Sequence, residues 1–332
     1  MAGSFSAIRV AVDQNSIDFQ FARDVIEGLS RRAKSLPCRY FYDARGSELF
    51  ELITALPEYY PTRAEAEILK ENAVQLAAPI HSGDFFVEFG SGSSIKTELL
   101  LAKLPAGVTY VPIDVSQTAL DEAAERLRLR FPDLKVDPLI ADFSDASEWP
   151  VALGNRRPTL FFPGSTIGNL HPTEAGALLS RWRTALPQGA RLVIGVDLRK
   201  ALDRLLPAYN DAQGVTGAFN LNLLVRINRE LNANFDLSRF RHEAIYDPRH
   251  GRIEMHLISK ACQTVIVCGR SFDFSLGESI HTENSYKYTI GDFQDLAQLA
   301  GWRPLSVATD IKGDFSVHEL ETLAGPSRAR PA

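Results

Sequence analysis

The residues best equipped for chemistry are two glycines, two aspartates and an aromatic ring, each placed where a strand should end. Gly90 and Gly92 follow the apolar run Phe85–Phe89 and let bare backbone approach a ligand. Asp114 closes a second apolar run, Val108–Ile113, and Asp142-Phe143 closes a third, Leu139–Ala141. Three ligand classes compete for such a loop. A dinucleotide fingerprint needs a third glycine where this chain has Ile95. A phosphate-cradling loop needs glycine before Lys96-Thr97, and Ile95 stands there too. S-adenosylmethionine carries no phosphate; it needs close backbone approach, an acid for its ribose hydroxyls and a polar-aromatic pair for adenine. Asp114 and Asp142-Phe143 suit those needs, the alternative being an α/β core in which both aspartates merely cap helices.

Other stretches carry polar or aromatic groups with two readings each. Arg39-Tyr40-Phe41-Tyr42-Asp43 and the proline-bracketed Pro57-Glu58-Tyr59-Tyr60-Pro61 place Tyr42 and Tyr59 either in half-buried packing or at a pocket mouth. Phe162-Pro163-Gly164-Ser165-Thr166-Ile167-Gly168-Asn169 ends a fourth strand. It serves either as a helix-entry turn or as a ligand wall in which the Asn169 amide both donates and accepts. Met255 by itself is a gap-filling core residue, and Glu283, in His281-Thr282-Glu283-Asn284-Ser285, by itself a solvated charge. His242-Glu243 lacks a second histidine at metalloprotease spacing and the seven histidines show no ligand pattern, so no metal is expected.

The elements that must position these groups follow a βα rhythm. Strands at 85–89, 108–113, 135–140, 159–163 and 192–197 alternate with helices near 94–104, 118–130 and 173–186, which predicts a parallel doubly wound sheet. Ahead of it, helices are expected over Phe21–Ala33, around Leu49–Ile53 and from an N-cap at Thr62, with Glu65 completing a capping box, to about Ala78. After Asp197 the rhythm gives way to an asparagine-rich helical stretch, Tyr209–Asn234, and then to hairpins through Phe274. A helix at 289–300 and strands at 304–309 and 315–320 restore the α/β pattern.

Bulk properties narrow the classes. The 332 residues are 45% hydrophobic and 23% charged, enough for a full core, and a formal charge of −5 disfavours a nucleic-acid or anionic-membrane surface. No run reaches the length of a membrane span and the N-terminus lacks a secretory apolar segment. Three cysteines without CxxC spacing predict a reduced, cytoplasmic protein.

With these motifs assembled, the chain from about Pro37 to Leu323 resembles the histidine Nα-methyltransferases of ergothioneine biosynthesis, which make hercynine. The resemblance rests on Phe41-Tyr42-Asp43, Pro57 to Arg63, Glu88-Phe89-Gly90-Ser91-Gly92, Phe162 to Asn169 and Thr282-Glu283-Asn284-Ser285. It implies a Rossmann-like S-adenosylmethionine-dependent methyltransferase core of residues 62–197 and 286–323. A second, α+β substrate-binding domain would comprise 1–61 and 198–285, with 324–332 a flexible tail. It also implies S-adenosylmethionine contacts at Gly90, Lys96, Asp114, Asp142 and Phe143, and catalytic positions at Tyr59, Gly164 and Asn169. Histidine contacts would fall on Tyr59, Gly164, Asn169, Tyr209, Glu283 and Ser285, with Tyr42 and Met255 nearby. The implied partners are L-histidine and its mono- and dimethylated intermediates, with no nucleic acid, membrane or metal, and the implied state is a monomer. The runner-up is a methyltransferase acting on another aromatic amino acid or an indole precursor, and a reading from a different class is a non-catalytic sensor on the same fold.

Overall fold

The computed structural model describes residues 14–91, 96–144, 153 and 157–323, so Gly92, Ile95 and the expected tail lie outside the described residues. In chain order, α1 spans Gln14–Ser30, the two-residue β1 Lys34–Ser35, α2 Ala44–Ala55 and α3 Tyr60–Ala77. β2 (Phe85–Phe89), α4 (Glu98–Leu101), β3 (Thr109–Asp114) and α5 (Gln117–Arg130) follow, then β4 (Lys135–Val136), β5 (Leu139–Ile140) and β6 (Pro158–Phe162). Next come α6 (Pro172–Ala185), β7 (Arg191–Asp197), α7 (Leu202–Tyr209) and α8 (Val215–Glu230). β8 (Phe240–Asp247), β9 (Arg252–Ser259), β10 (Gln263–Val267), β11 (Arg270–Phe274) and β12 (Ser279–Tyr286) form the strand-rich run. α9 (Ile290–Leu299), β13 (Trp302–Thr309) and β14 (Phe315–Thr322) close it.

Two compact units emerge. One comprises the chain up to Ala55, Tyr209–Ile245 and Glu254–Glu283; the other comprises Leu56–Ala208, Tyr246–Ile253 and the chain from Asn284 onward. In the second unit the main sheet runs β13-β14-β7-β6-β2-β3-β4, with β5 also on β3. β7, β6, β2, β3, β4 and β5 are parallel and β14 is antiparallel to both its neighbours. β2 lies between β3 and β6, so the strand order reverses at β2, and the crevice outside such a reversal is where doubly wound sheets hold ligands. The Gly90 turn begins there.

Both faces of this sheet are covered, which explains its unbroken apolar strands. Phe86, Tyr110, Phe161 and Val193 face Ile68, Leu69 and Leu76 of α3 and Leu127 of α5. Their neighbours Val87, Phe89, Ile113, Phe162 and Ile194 face Leu178 and Trp182 of α6 and Phe293 of α9. Side-chain alternation alone sorts one sequence onto two cores.

Three expected elements differ. The strand predicted over 135–140 is split at Asp137-Pro138, although its register on β3 is the same on both sides of the break. The helix expected near 94–104 is α only over Glu98–Leu101; Leu99 and Leu104 close tighter turns onto Lys96 O and Leu101 O. The capping box at Thr62 and Glu65 does not form. Proline suits a first helical turn, so α3 begins at Tyr60 ahead of Pro61, with Thr62 already helical and the Glu65 side chain committed elsewhere.

In the first unit, Phe219 of α8 packs between Phe41 and Phe50, at 4.6 and 6.0 Å between ring centroids. Of the asparagine-rich stretch, Tyr209 ends α7 and Val215–Glu230 forms α8, with Gly214 at its N-cap. Its amides tie loops down: Asn222 Nδ2 donates to Asp43 Oδ1 at 2.8 Å, and Asn228 exchanges two bonds with the Phe235 backbone. A four-stranded sheet runs β1-β12-β9-β8, and β10 and β11 pair as an antiparallel hairpin. Among the described residues no helix is long and apolar enough to cross a membrane.

Glu88, in the central strand β2, is an exception to its apolar surroundings. Its carboxylate accepts from Thr97 Oγ1 at 2.5 Å and from the Tyr110 hydroxyl. Burial pushes its carboxyl up to about 7, although both hydroxyls and the charge of Lys96 pull the other way. Between the ordinary value of 4.5 and about 7 the folded protein keeps a proton that the unfolded chain has released, so stability falls as pH rises through that window. Glu88→Gln mimics the neutral form. Urea unfolding from pH 5 to 8 should show wild type losing roughly 1–3 kcal/mol relative to the variant; parallel profiles would show that Glu88 titrates as an ordinary carboxylate.

Candidate active site

The strand ends of the second unit gather the residues expected to hold S-adenosylmethionine. Gly90 has φ +62°, a left-handed conformation that a side chain disfavours, and its N–H donates to Ile113 O at 2.9 Å, which ties the turn to β3. Gly90 is exposed, and a Cβ there would meet no atom within 4 Å, so the backbone stands open. Asp114 ends β3 and accepts the Ser116 N–H at 3.0 Å, while Asp142, after β5, accepts the Ser144 N–H at 2.8 Å. Asp114 is not the N-cap of the helix that follows it; Ser116 caps α5. The Phe143 ring packs against Phe162 at 5.2 Å and Phe89 at 5.9 Å. The Phe143 carbonyl accepts from Trp182 Nε1 at 2.9 Å, so buried α6 fixes a residue on the open loop. This set fits the cofactor: open backbone, a carboxylate and a half-buried ring.

Lys96 and Gly164 are brought together by a residue assigned elsewhere from sequence. Glu65 is fully buried on α3; its carboxylate takes the Gly164 N–H at 2.9 and 3.0 Å and pairs with the Lys96 ammonium. A Cβ on Gly164 would lie 3.9 Å from Lys96 Nζ. Gly164 has φ +77° and Ser165 φ +57°, two left-handed residues in succession that turn the chain sharply off β6 into the short helix Thr166–Asn169. That turn packs so closely on β12 that a Cβ on Gly168 would stand 2.8 Å from Tyr286 O. Asn169 and the Ser285-Tyr286 end of β12 thus belong to one neighbourhood, with Ser285 buried.

Asp197, at the end of β7, joins three of these stretches. Its carboxylate accepts from the Tyr60 hydroxyl at 2.8 and 2.9 Å, from Lys200 at 2.5 Å and from Lys287 at 2.7 Å. Its own N–H donates to Ser165 Oγ at 2.9 Å. Burial alone would raise its carboxyl, but the ammonium groups of Lys287 and Lys200 outweigh that and hold it below the usual carboxylate range. Tyr59, half-buried, is fixed by its neighbour Tyr60. Trp182, Asp197, Lys200 and Lys287 gave no motif, and Glu65 gave only a capping-box spacing that the fold does not use.

In the first unit, Tyr42 is half-exposed, with its ring edge-on to Phe50 at 5.6 Å and Phe219 at 5.8 Å. Asp43 beside it bonds the Gly46 N–H, Asn222 and Arg229, which explains why the tyrosine precedes an acid. Tyr209 is buried at the end of α7, where His242 Nε2 lies 2.8 Å from its carbonyl and Asn220 Nδ2 lies 2.9 Å from His242 Nδ1. An imidazole donating to the carbonyl and accepting from the amide satisfies both contacts, and burial lowers the ring's proton affinity in keeping with that neutral form. Met255 is buried on β9, and its carbonyl accepts from Thr282 Oγ1 at 3.0 Å. Glu283 is half-buried on β12, so its surroundings differ from those of the solvated charge its sequence alone indicates.

The histidines, which show no ligand spacing in sequence, do meet in space: possible ligand atoms of Glu254, His256 and His281 all lie within 4.8 Å of one another. Glu254 Oε2 is 2.9 Å from His256 Nε2, and the two imidazoles stack at 5.0 Å with 28° between planes. Hydrogen bonding and ring stacking account for that grouping.

Comparison with known proteins adds to this geometry. A model of the S-adenosylmethionine-dependent histidine-specific methyltransferase family matches residues 21–322. The chain is 40% identical over 300 residues to a histidine N-alpha-methyltransferase of Mycolicibacterium smegmatis, covering 89% of this chain and 92% of that one. It is 31% identical to ergothioneine biosynthesis protein 1 of Neurospora crassa, over 86% of this chain but 33% of the longer relative. A 4-dimethylallyltryptophan N-methyltransferase of Aspergillus fumigatus is 27% identical over 335 residues, covering 94% and 96% of the two chains. An open glycine turn at the strand-order reversal, acids at the next two strand ends and a match across nearly the whole chain establish that it belongs to the S-adenosylmethionine-dependent, histidine-specific methyltransferase family.

Proposed function

We propose that this enzyme methylates the α-amino group of L-histidine three times, by way of the mono- and dimethylated amines, to form hercynine for ergothioneine biosynthesis. Family membership and the 40% identical relative support the histidine substrate. The observation that carries the reading within this chain is the pair Glu283 and Ser285, two residues apart and so on one face of β12. A carboxylate and a hydroxyl there can answer both ring nitrogens of an imidazole. A carbocyclic aromatic side chain or the carbon edge of an indole would leave the carboxylate unpaired, which disfavours other aromatic amino acids.

S-adenosylmethionine, when bound, supplies an electrophilic methyl group on a sulfonium. Gly90, Lys96, Asp114, Asp142 and Phe143 are the residues proposed to hold it, with Asp114 taking the ribose hydroxyls. Transfer requires an amine that has lost its proton and lies in line with the methyl group, so the protein contributes chiefly orientation. Tyr59, Asn169 and the Gly164 carbonyl are proposed to hold the amine, and none is a competing strong nucleophile. Glu65 grips the Gly164 N–H, and Asp197 grips the hydroxyl of Tyr60, the residue next to Tyr59. As N–H donors are replaced by methyl groups, the face of the Tyr59 ring can still favour the developing cation. Tyr42, Tyr209 and Met255 are proposed to surround the substrate. We also propose a cytoplasmic monomer, supported by three cysteines of which none is in a disulfide.

Three measurements bear on this reading. Mass spectrometry of amino acids incubated with enzyme and S-adenosylmethionine should show histidine gaining three methyl groups; modification of another amino acid instead would overturn the substrate. Asp114→Ala should weaken S-adenosylmethionine binding by about ten- to a hundredfold in calorimetry, the loss of one charged acceptor being worth roughly 1.5–3 kcal/mol. Unchanged affinity in the folded variant removes Asp114 from the cofactor site. Glu283→Gln should cost about 1–2 kcal/mol in histidine affinity and Glu283→Ala more, while Tyr59 and Asn169 variants should lower turnover at saturating histidine. Normal histidine affinity in Glu283→Ala would return Glu283 to the surface.

A further inference from the structure

Lys287 is among the largest fully buried side chains of the protein, and nothing in the methyl transfer calls for it. A buried ammonium is costly unless answered, and an apolar residue of similar volume is often at least as stabilising as a buried ion pair. Stability alone is therefore a weak reason for a lysine here. The contacts supply another. Lys287 Nζ is 2.7 Å from Asp197 Oδ2 and 2.7 Å from Ser285 Oγ. An ammonium has three donors and no acceptor, so Ser285 Oγ must accept from it. Asp197 keeps the ammonium in place, itself held by Tyr60, Lys200 and the Ser165 hydroxyl.

We propose that Lys287 is a positioning residue that selects the imidazole: by donating to Ser285 Oγ it directs the Ser285 hydroxyl proton away from itself, so that Ser285 meets the substrate ring as a donor. The inference rests on the reading of Ser285 as a histidine contact. A lone serine can donate or accept and would take a ring nitrogen of either kind. With Lys287 beside it, Ser285 favours a bare ring nitrogen, while the Glu283 carboxylate accepts and favours a ring N–H. Neutral imidazole carries one of each. The two side chains together fix its tautomer and its orientation, and a ring that offers only an N–H satisfies one of them.

The test is a double-mutant cycle on histidine binding, measured by calorimetry with S-adenosylhomocysteine present, for wild type, Ser285→Ala, Lys287→Met and the double variant. Each single variant is expected to weaken histidine by about five- to tenfold. The double variant should be no weaker than Ser285→Ala alone, a non-additivity that a purely structural lysine would not produce. Independent, multiplying losses would overturn the role of Lys287 and leave the Ser285 contact standing. Unchanged histidine binding in Ser285→Ala would overturn both.

Lys287→Met leaves Asp197 with one cation fewer, so a second measurement, independent of the folding of that variant, uses only wild type and Ser285→Ala. The probe is a histidine analogue with a pyrrole ring, which keeps one N–H and has C–H in place of the second nitrogen. Wild type should bind it at least tenfold more weakly than histidine, and Ser285→Ala should bring the two ligands close together. Equal discrimination in both proteins would show that Ser285 is not a donor and would overturn the proposal.

Discussion

A carboxylate with almost no access to water is the point on which the second unit depends. Asp197 ends β7, and from there it grips the start of α3 through Tyr60, the left-handed turn after β6 through Ser165, and the segment after β12 through Lys287. These segments are distant in sequence; strand pairing sets β6 beside β7 and a backbone bridge joins Leu198 to Tyr288, and the Asp197 side chain adds ties among them. The energetics favour precision over strength. Desolvating two charges offsets most of their attraction, so the assembled network adds little net stability, whereas removing one partner typically costs about 3–5 kcal/mol. Such a network tolerates only one arrangement, a useful property beneath groups that must be held within fractions of an ångström.

Three buried acids in this unit show how surroundings decide the outcome. Asp197 has two ammonium groups within hydrogen-bond distance and is held in its charged form. Glu88 has two hydroxyls as its hydrogen-bond donors, and desolvation wins there, so its carboxyl is pushed toward neutrality. Glu65 divides its carboxylate between an ammonium and a backbone N–H, and so links a side chain beside the glycine turn to the backbone of another turn. Two of the partners are themselves expected ligand groups or touch one: Lys287 contacts Ser285, and Glu65 holds Gly164 and Lys96.

How much of this was legible in the sequence follows from what each feature depends on. The doubly wound sheet was legible because strands buried on both faces are continuous apolar runs, and Phe85–Phe89 and Arg191–Asp197 are separated by helices of ordinary length. Asp114 and Gly90 were legible because their offsets come from one βαβ unit. Glu65 was not. Its spacing from Thr62 matches a capping box, and nothing local reveals that Pro61 starts the helix earlier and frees the carboxylate to reach Gly164, 99 positions on. The same holds for Asp197 and Lys287, which read as a strand terminus and a stray charge until β7 and the segment after β12 are side by side. Pro138 was visible in the sequence as an irregularity within the third strand, at the edge of the sheet where a proline is tolerated.

Selectivity for histidine within such a fold is a problem of hydrogen-bond polarity more than of size. A pocket that measures bulk separates substrates differing by a methylene only by about 10–200-fold, whereas buried polar groups left unpaired by the wrong ligand can separate them by about 10⁴-fold or more. Imidazole is small, and its distinguishing trait among aromatic rings is one donor and one acceptor in the same plane. An acid and a hydroxyl on one face of β12 can read that trait only if the hydroxyl is kept from reversing its role. In the proposed site a buried ammonium 2.7 Å from the Ser285 hydroxyl would meet that requirement. On this proposal, a substrate change need not alter the sheet, since the donor and acceptor roles would reside in a few side chains of β12 and the charge behind them.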